Sequence, residues 1–136
     1  MAFATLPPQT AVYTPYTLID KARQGMLRSE ADQVAQLASL TDVELARILN
    51  MSIRNLHRLK AEDKLTRDAS ERLLLLTNLL QHGLDVFDED VQTLAEWLRS
   101  PIRELNTQSP LSLLDTTTGF GLVDDVLGRI EHGIVG

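Results

Sequence analysis

Helix-start signals recur along this 136-residue chain, and they precede segments whose apolar residues recur every three or four positions. The clearest is Thr41-Asp42-Val43-Glu44, in which a Thr and a Glu three residues later each accept a backbone N–H of the first turn. No segment keeps the alternation of apolar and polar residues that a half-buried strand requires. The sequence therefore predicts an all-α fold. Further starts are predicted at Ser29, Ser52, Thr66, Asp88 and Ser109-Pro110.

Composition bounds the class of protein. Hydrophobic residues make up 43% of the chain, an ordinary fraction for a globular protein. The chain has no cysteine, which excludes disulfides and thiolate metal sites and fits a reducing compartment. No stretch approaches the roughly 20 apolar residues of a membrane span, and the first residues lack the pattern of a secretory signal. We therefore expect a cytoplasmic protein that does not contact a membrane.

Proline and glycine positions suggest a division of the chain into three parts. Residues 1–16 hold Pro7, Pro8 and Pro15 without any apolar period, and we expect an N-terminal arm there. Residues 17–83 are predicted to form a helical DNA-binding domain, which begins with a helix at Thr17 and ends near Gly83. Residues 84–136 are predicted to form a second, small helical domain, whose first helix ends before Pro101.

A helix-turn-helix motif is predicted over residues 45–61. Ala46 is small enough to let two helices cross closely, and Asn50 suits the positive φ of a tight turn. Ser52 then caps a helix from Ile53 to about Ala61, and Leu56 packs that helix against the first. The motif is used both for reading DNA and for packing helices, so a structural or dimer-forming role remains open.

The charges of this motif favour DNA. Residues 45–61 hold four Arg or Lys residues and no acid, whereas residues 76–136 hold ten acids and three cations. Arginine pairs with guanine or phosphate and asparagine with adenine. His57 either touches phosphate or is solvated. Since one helix makes few contacts, we expect a homodimer that reads two half-sites of operator DNA. The predicted DNA-binding residues are Ser52, Arg54, Asn55, His57, Arg58 and Lys60.

Nothing in the sequence favours catalysis. The three histidines are far apart, and His82 beside Gly83 suggests a helix C-terminus, where a cation interacts favourably with the dipole. The acids at 88–90 are typical of a helix start and do not require a metal. Trp97, three residues after Leu94, is predicted to pack in the core, and the alternative is a hot spot that faces a partner. The chain lacks a nucleophile elbow and a phosphate-binding glycine loop. We expect no enzyme activity, no cofactor and no metal site.

The C-terminal segment has an unusual arrangement. After Ser109-Pro110, an apolar stripe recurs at helical spacing, and Gly133 occupies the position of a left-handed C-cap. Residues 129–136, which we call the tail, are therefore expected to be an end carried on a packed helix and suited to insertion into a partner. The predicted stripe comprises Leu122, Val123, Val126, Leu127 and Ile130.

These residues carry a family resemblance. The pattern SPLSLLD at 109–115, then Gly119 and LGRIEHG at 127–133, all preceded by Trp97-Leu98, resembles the C-terminal toxin-binding domain of the Xre/MbcA/ParS antitoxins. The resemblance runs from about residue 45 to the end and includes the helix-turn-helix, which is then Xre-like. One departure is the segment 103–107, where a glycine-containing turn is expected before Ser109.

The resemblance implies a function. It implies the antitoxin of a type II toxin–antitoxin pair that dimerises, represses its own operon and neutralises a toxin through residues 84–136. Such antitoxins are commonly paired with RES-domain toxins, which resemble ADP-ribosyltransferases and consume NAD. We expect the tail to occlude the NAD cleft of the toxin, with the acidic surplus complementing a basic cleft. The implied toxin-binding residues are Arg129, Glu131, His132, Gly133, Ile134, Val135 and Gly136.

A second hypothesis comes from a different class of protein. The chain would be a stand-alone helix-turn-helix transcription regulator whose C-terminal domain only dimerises or senses a small ligand.

Overall fold

The computed structural model describes residues 12–133, which form seven α-helices and two short 3₁₀ turns. Apart from two isolated bridges, these residues contain no β-structure, so the all-α prediction is confirmed. No helix within this range is long and apolar enough to cross a membrane. The elements are α1 (Pro15–Gln24), α2 (Arg28–Ala38), α3 (Asp42–Ile48), α4 (Ile53–Arg58), α5 (Arg67–Val86), α6 (Val91–Arg99), 3₁₀ turns at Arg103–Leu105 and Pro110–Leu113, and α7 (Thr117–Glu131).

The strongest capping signals work as the sequence predicted. The Thr41 hydroxyl accepts the N–H of Glu44 at 3.1 Å, and the Glu44 carboxylate accepts the N–H of Thr41 at 2.9 Å. Ser52 caps α4 through the N–H of Asn55 at 3.0 Å, and Thr66 caps α5. Each interaction joins residues three apart, so local sequence was sufficient to predict it.

Two predicted helix starts are wrong. Helix α2 begins at Arg28, because the Glu30 carboxylate accepts the N–H of Leu27 at 2.9 Å while Ser29 bonds the distant carbonyl of Ala61. Helix α6 is capped by Asp90, whose carboxylate accepts the N–H of Thr93 at 3.1 Å. Asp88 instead has a φ of 55°, which lies in the left-handed region and belongs to the preceding turn.

Helix α1 begins at Pro15, inside the range 1–16 that was expected to form an arm. The Thr14 hydroxyl accepts the N–H of Thr17, and the ring of Pro15 presets φ for the first turn. The backbone of Tyr13 is fixed by the Asn78 amide of α5, which accepts its N–H at 2.7 Å and donates to its carbonyl at 3.1 Å. Residues 1–11 of the expected arm lie outside the described residues.

Helix α5 forms the centre of the fold. It packs against α1, α6 and α7, and its leucines are among the most deeply buried residues of the protein. Helix α5 runs to Val86, so the prediction that it ends near Gly83 is wrong. Gly83 lies inside the helix, where it faces α6. A Cβ at this position would lie 2.5 Å from Leu94 Cδ1, so the glycine lets α6 approach closely. The fully buried leucines of α5 are Leu73, Leu74, Leu76 and Leu80.

The C-terminal part differs from its predicted form in two details. Ser109-Pro110 starts a 3₁₀ turn, and the last α-helix is capped separately by Thr116, which accepts the N–H of Gly119 at 3.0 Å. Within the predicted stripe, Leu122 is 49% exposed, since it lies on the outer face of α7. Val123, Val126 and Leu127 are buried and Ile130 is half-buried, so the rest of the stripe is confirmed.

The segment 103–107 makes its turn without glycine. Asn106 and Thr107 both have positive φ, at 57° and 64°. The turn is closed by hydrogen bonds from Thr107 N–H to the Ile102 carbonyl and from Ile102 N–H to the Gln108 carbonyl, each at 3.0 Å. Asn tolerates the left-handed region better than most residues, which is how the chain forms this turn despite its departure from the family pattern.

Gly119→Ala should destabilise the protein. A Cβ on Gly119 would lie 1.6 Å from the Leu113 carbonyl oxygen, so α7 would have to move away from the preceding 3₁₀ turn. We expect a loss of about 1–3 kcal/mol in the free energy of unfolding, measured by urea denaturation. The control is Gly121→Ala in the same helix, where a Cβ meets nothing within 4 Å. That variant should gain up to about 1 kcal/mol from helix propensity, and equal losses in both variants would contradict the packing argument.

Candidate functional site

The helix-turn-helix is formed by α3 and α4. Asn50 has a φ of 57° at the turn, and the N–H of Met51 bonds the Ala46 carbonyl at 2.9 Å. Ala46 and Leu56 are buried where the two helices meet. The geometry that the sequence predicted for residues 45–56 is therefore present.

The structure places all six predicted DNA-binding side chains on an exposed surface. Helix α4 is shorter than predicted, because it ends at Arg58 and Leu59 is already extended. Lys60 therefore lies beyond the helix, in a turn where the Asp63 carboxylate accepts its N–H at 2.8 Å. The exposed residues are Ser52, Arg54, Asn55, His57, Arg58 and Lys60.

Two contacts hold α4 in place, and neither was predicted. The largely buried guanidinium of Arg28 on α2 donates to the carbonyls of Leu56 and Leu59, which are acceptors at the C-terminal end of α4. His57 contacts Asp42 of α3 through Nε2 at 3.0 Å. His57 was expected either to touch phosphate or to be solvated. Neither expectation included Asp42, which lies fifteen positions away.

A bidentate ion pair joins α3 to α6. The Arg99 guanidinium donates to both carboxylate oxygens of Glu44, at 2.6 and 2.8 Å, and to the Ser39 carbonyl at 2.7 Å. The hydrogen bond from Arg99 lowers the pKa of Glu44 to about 2, although partial burial acts in the opposite direction. This contact ties the helix-turn-helix to the C-terminal part of the fold.

Asp115 makes a second connection between the two parts. Arg47 of α3 donates to the Ser112 carbonyl at 2.6 Å and lies 3.8 Å from the Asp115 carboxylate. Arg72 of α5 donates to the Asp115 carbonyl at 3.2 Å. Arg47 and Arg72 are thus directed toward the C-terminal part, whereas Arg54 and Arg58 lie on the exposed surface of α4.

The described part of the tail comprises the last turn of α7 and the two residues that follow it. The N–H groups of His132 and Gly133 bond the carbonyls of Gly128 and Ile130, and Gly133 has the expected left-handed φ of 69°. Of the predicted toxin-binding residues, Arg129, Glu131, His132 and Gly133 are exposed. Ile134, Val135 and Gly136 lie outside the described residues.

His82 has a role that the sequence did not reveal. The prediction of a helix C-terminal residue is wrong, since His82 lies inside α5 and faces α7. Its Nδ1 is 2.6 Å from an Asp124 carboxylate oxygen, and its Nε2 is 3.2 Å from Glu131. The partners are more than forty positions away, so no sequence spacing relates them.

The remaining candidates have structural positions. Trp97 packs against the core, with its ring centroid 5.7 Å from that of Phe87. Within residues 12–133, no group of three or more His, Cys, Asp and Glu side chains is arranged to hold a metal ion.

Fold and surfaces together define a class of protein: a helical, helix-turn-helix protein with a second helical unit whose last described residues are exposed. Family comparison narrows this class. Residues 17–78 match the Xre-like antitoxin helix-turn-helix domain, and residues 82–133 match the C-terminal toxin-binding domain of the Xre/MbcA/ParS antitoxins. The chain belongs to the Xre/MbcA/ParS antitoxin family.

Individual relatives agree with this membership. The chain is 33% identical over 113 residues to an antitoxin Xre of Photorhabdus laumondii, and the aligned region covers 82% of this chain and 76% of the relative. It is 32% identical over 118 residues to an antitoxin Xre of Yersinia enterocolitica, covering 86% and 80%. A Sphingobium protein named Prs ADP-ribosylating antitoxin is 26% identical over 129 residues, covering 88% and 81%.

Arg99→Met should weaken the connection between α3 and α6. We expect a loss of about 1 kcal/mol in unfolding free energy near neutral pH, since the pair is partly exposed. The lowered pKa of Glu44 means that this stabilisation is full above the ordinary carboxyl pKa of about 4.3 and is lost as the pH falls toward about 2. Urea denaturation between pH 2 and 7 should therefore show wild type and variant converging in acid. Arg103→Met, on an exposed turn, is the control, and a difference independent of pH would refute the assignment.

Proposed function

We propose that the protein is the antitoxin of a type II toxin–antitoxin pair, and that it neutralises a RES-domain toxin with its tail and represses its own operon with α4. The observation that carries the proposal is the match of residues 82–133 to a toxin-binding domain whose last helix ends in an exposed segment. The two proposed surfaces belong to different elements, so one chain can hold DNA and toxin together. The role is stoichiometric binding and requires no catalytic group.

The DNA half is supported by the charge and exposure of α4. Arg54 and Arg58 lie four apart, about one helical turn, so they share one face, and Asn55 is adjacent to that face. A helix of six residues offers few base contacts, which favours a homodimer on a two-fold symmetric operator. A protein that binds operator DNA acts where the chromosome lies. In bacteria such as those of the relatives, this compartment is the cytoplasm.

The toxin half is supported by the shape and charge of the C-terminal part. His132 and Gly133 follow Ile130, the last side chain of α7 that packs against the core, so this exposed end can enter a cleft without disturbing the core. The acidic surplus of residues 76–136 complements a basic cleft that holds the pyrophosphate of NAD. The name of the Sphingobium relative also refers to ADP-ribosylation, a reaction that consumes NAD.

Arg54→Ala with Arg58→Ala should weaken operator binding. Each arginine that contacts DNA releases counterions on binding, so the slope of log affinity against log salt should fall by about one or two units. Fluorescence anisotropy with the operator at several salt concentrations measures both quantities.

The control for this pair carries the same change in charge at another place. Arg23→Ala with Arg103→Ala removes two cations from α1 and a 3₁₀ turn, outside α4. If both double variants lose affinity equally, net charge explains the effect and α4 is not the reading helix.

Deletion of residues 132–136 combined with Arg129→Ala should abolish neutralisation of the toxin. This variant keeps Ile130, which packs against the core, and Glu131, which contacts His82, so α7 should remain folded. The measurement is survival of cells that express the toxin, together with inhibition of purified toxin. Operator affinity should stay within about twofold of wild type because α4 is untouched. Full protection by the variant would refute occlusion by the tail, whereas a wild-type protein that gives no protection at all would favour a stand-alone regulator.

A further inference from the structure

One imidazole joins α5 to two carboxylates of α7. His82 contacts Asp124 at 2.6 Å through Nδ1 and Glu131 at 3.2 Å through Nε2. Asp124 and Glu131 are seven positions apart, about two turns, so they lie on the same face of α7. The His82 side chain is only 20% exposed. The contact therefore spans the part of α7 that leads into the tail.

The geometry identifies the protonation state of this histidine. A neutral imidazole has one N–H donor and one acceptor nitrogen, and an acceptor facing a carboxylate oxygen is repelled. Because both ring nitrogens of His82 face carboxylate oxygens, the form that satisfies both contacts is the imidazolium.

The surroundings support this form. Partial burial alone would lower the pKa of His82, but the hydrogen bonds and charges of Asp124 and Glu131 raise it above its ordinary value. A groove of about 600 Å³ between α5 and α7 is lined by His82, Asp124 and Asp85. Asp85 therefore adds another acid near the imidazole. His132 Nε2 lies 3.9 Å from the same Glu131 oxygen that His82 contacts.

We propose that His82 is a positioning residue for toxin binding, whose imidazolium holds the last two turns of α7 against α5 and so fixes the direction in which the tail leaves the protein. This inference rests on the proposed toxin-binding role of the tail. Beyond Leu127, α7 is held by the half-buried Ile130 and by the contact between His82 and Glu131. A binding segment that is ordered in advance loses less entropy when it binds.

The pH dependence follows from the charged form. We call the contacts of the His82 imidazolium with Asp124 and Glu131 the clamp. The clamp is complete below the ordinary histidine pKa of about 6.5 and is lost as the pH rises through the higher pKa of folded His82. The tail should therefore become more mobile as the pH rises through that pKa.

The first experiment uses the full chain without toxin. In ¹⁵N NMR spectra at pH 6, both nitrogens of His82 should be protonated, and Glu131→Gln should lower its pKa. Backbone order parameters of residues 129–133 should fall as the pH rises through the raised pKa of His82, and His82→Ala should make them low at every pH. A single protonated nitrogen at pH 6, or order parameters that His82→Ala leaves unchanged, would overturn the clamp.

The second experiment measures the toxin dissociation constant at pH 6 and 8. His82→Ala should raise it about threefold to tenfold at pH 6 and by a smaller factor at pH 8, since a smaller fraction of wild-type His82 is protonated there. Asp124→Asn keeps the side-chain shape, removes one charge and should act in the same direction. The control is Gln81→Ala, the neighbouring position on α5, whose amide contacts Asp85 at 3.2 Å. It should bind toxin as wild type does.

The outcomes separate this inference from the function on which it rests. If tail deletion abolishes neutralisation while His82→Ala and Asp124→Asn bind toxin normally at both pH values, the positioning role is wrong and the proposed function stands. If the variant with the tail deletion still neutralises the toxin, the proposed occlusion by the tail fails, and the positioning role fails with it even when NMR detects the clamp.

Discussion

The fold depends on the burial of α5. This 20-residue helix contacts α1, α6 and α7 at once, and a helix surrounded in this way must be apolar on more than one face. Its run Leu73-Leu74-Leu75-Leu76 meets that requirement, and Gly83 allows the close crossing of α6. The Xre-like match ends at residue 78 and the toxin-binding match begins at residue 82, so α5 is shared by both. The surface of α4 and the base of the tail are therefore supported by one common core.

Local signals in the sequence were enough to predict most of this fold. The capping box at Thr41, the turn at Asn50 and the stripe on α7 each depend on residues within about one turn, and the structure contains them. The predictions failed where neighbouring residues offered equivalent signals. Ser29 and Asp88 are good caps in isolation, but Glu30 and Asp90 serve instead because of backbone bonds and turns that form elsewhere. A glycine such as Gly83 likewise fits a helix end or a close crossing equally well.

The candidate site was predictable as a set of exposed positions but not as a network. The exposure of Arg54, Arg58 and Arg129 follows from helical spacing around buried leucines. The contacts that support these positions join residues that are distant in sequence. The separation is 28 positions for Arg28 and Leu56, 42 for His82 and Asp124, and 55 for Arg99 and Glu44. Charge and spacing carry no information about such pairs, because many arginines and acids have the same local surroundings. Only the packing of the helices against one another determines which of them meet.

Internal pairing changes what the charge distribution means for binding. The acidic surplus of residues 76–136 suggests attraction to a basic cleft, yet Asp124 and Glu131 already face the His82 imidazolium. A rise in pH therefore has two opposite effects on toxin binding. Loss of the proton from His82 frees the charge of Glu131 for the partner, which strengthens electrostatic attraction, but it also releases the last turn of α7, which raises the entropy cost of docking. Since exposed charges gain little and are screened by salt, the cost of disorder should prevail at physiological ionic strength, and affinity should fall as the pH rises.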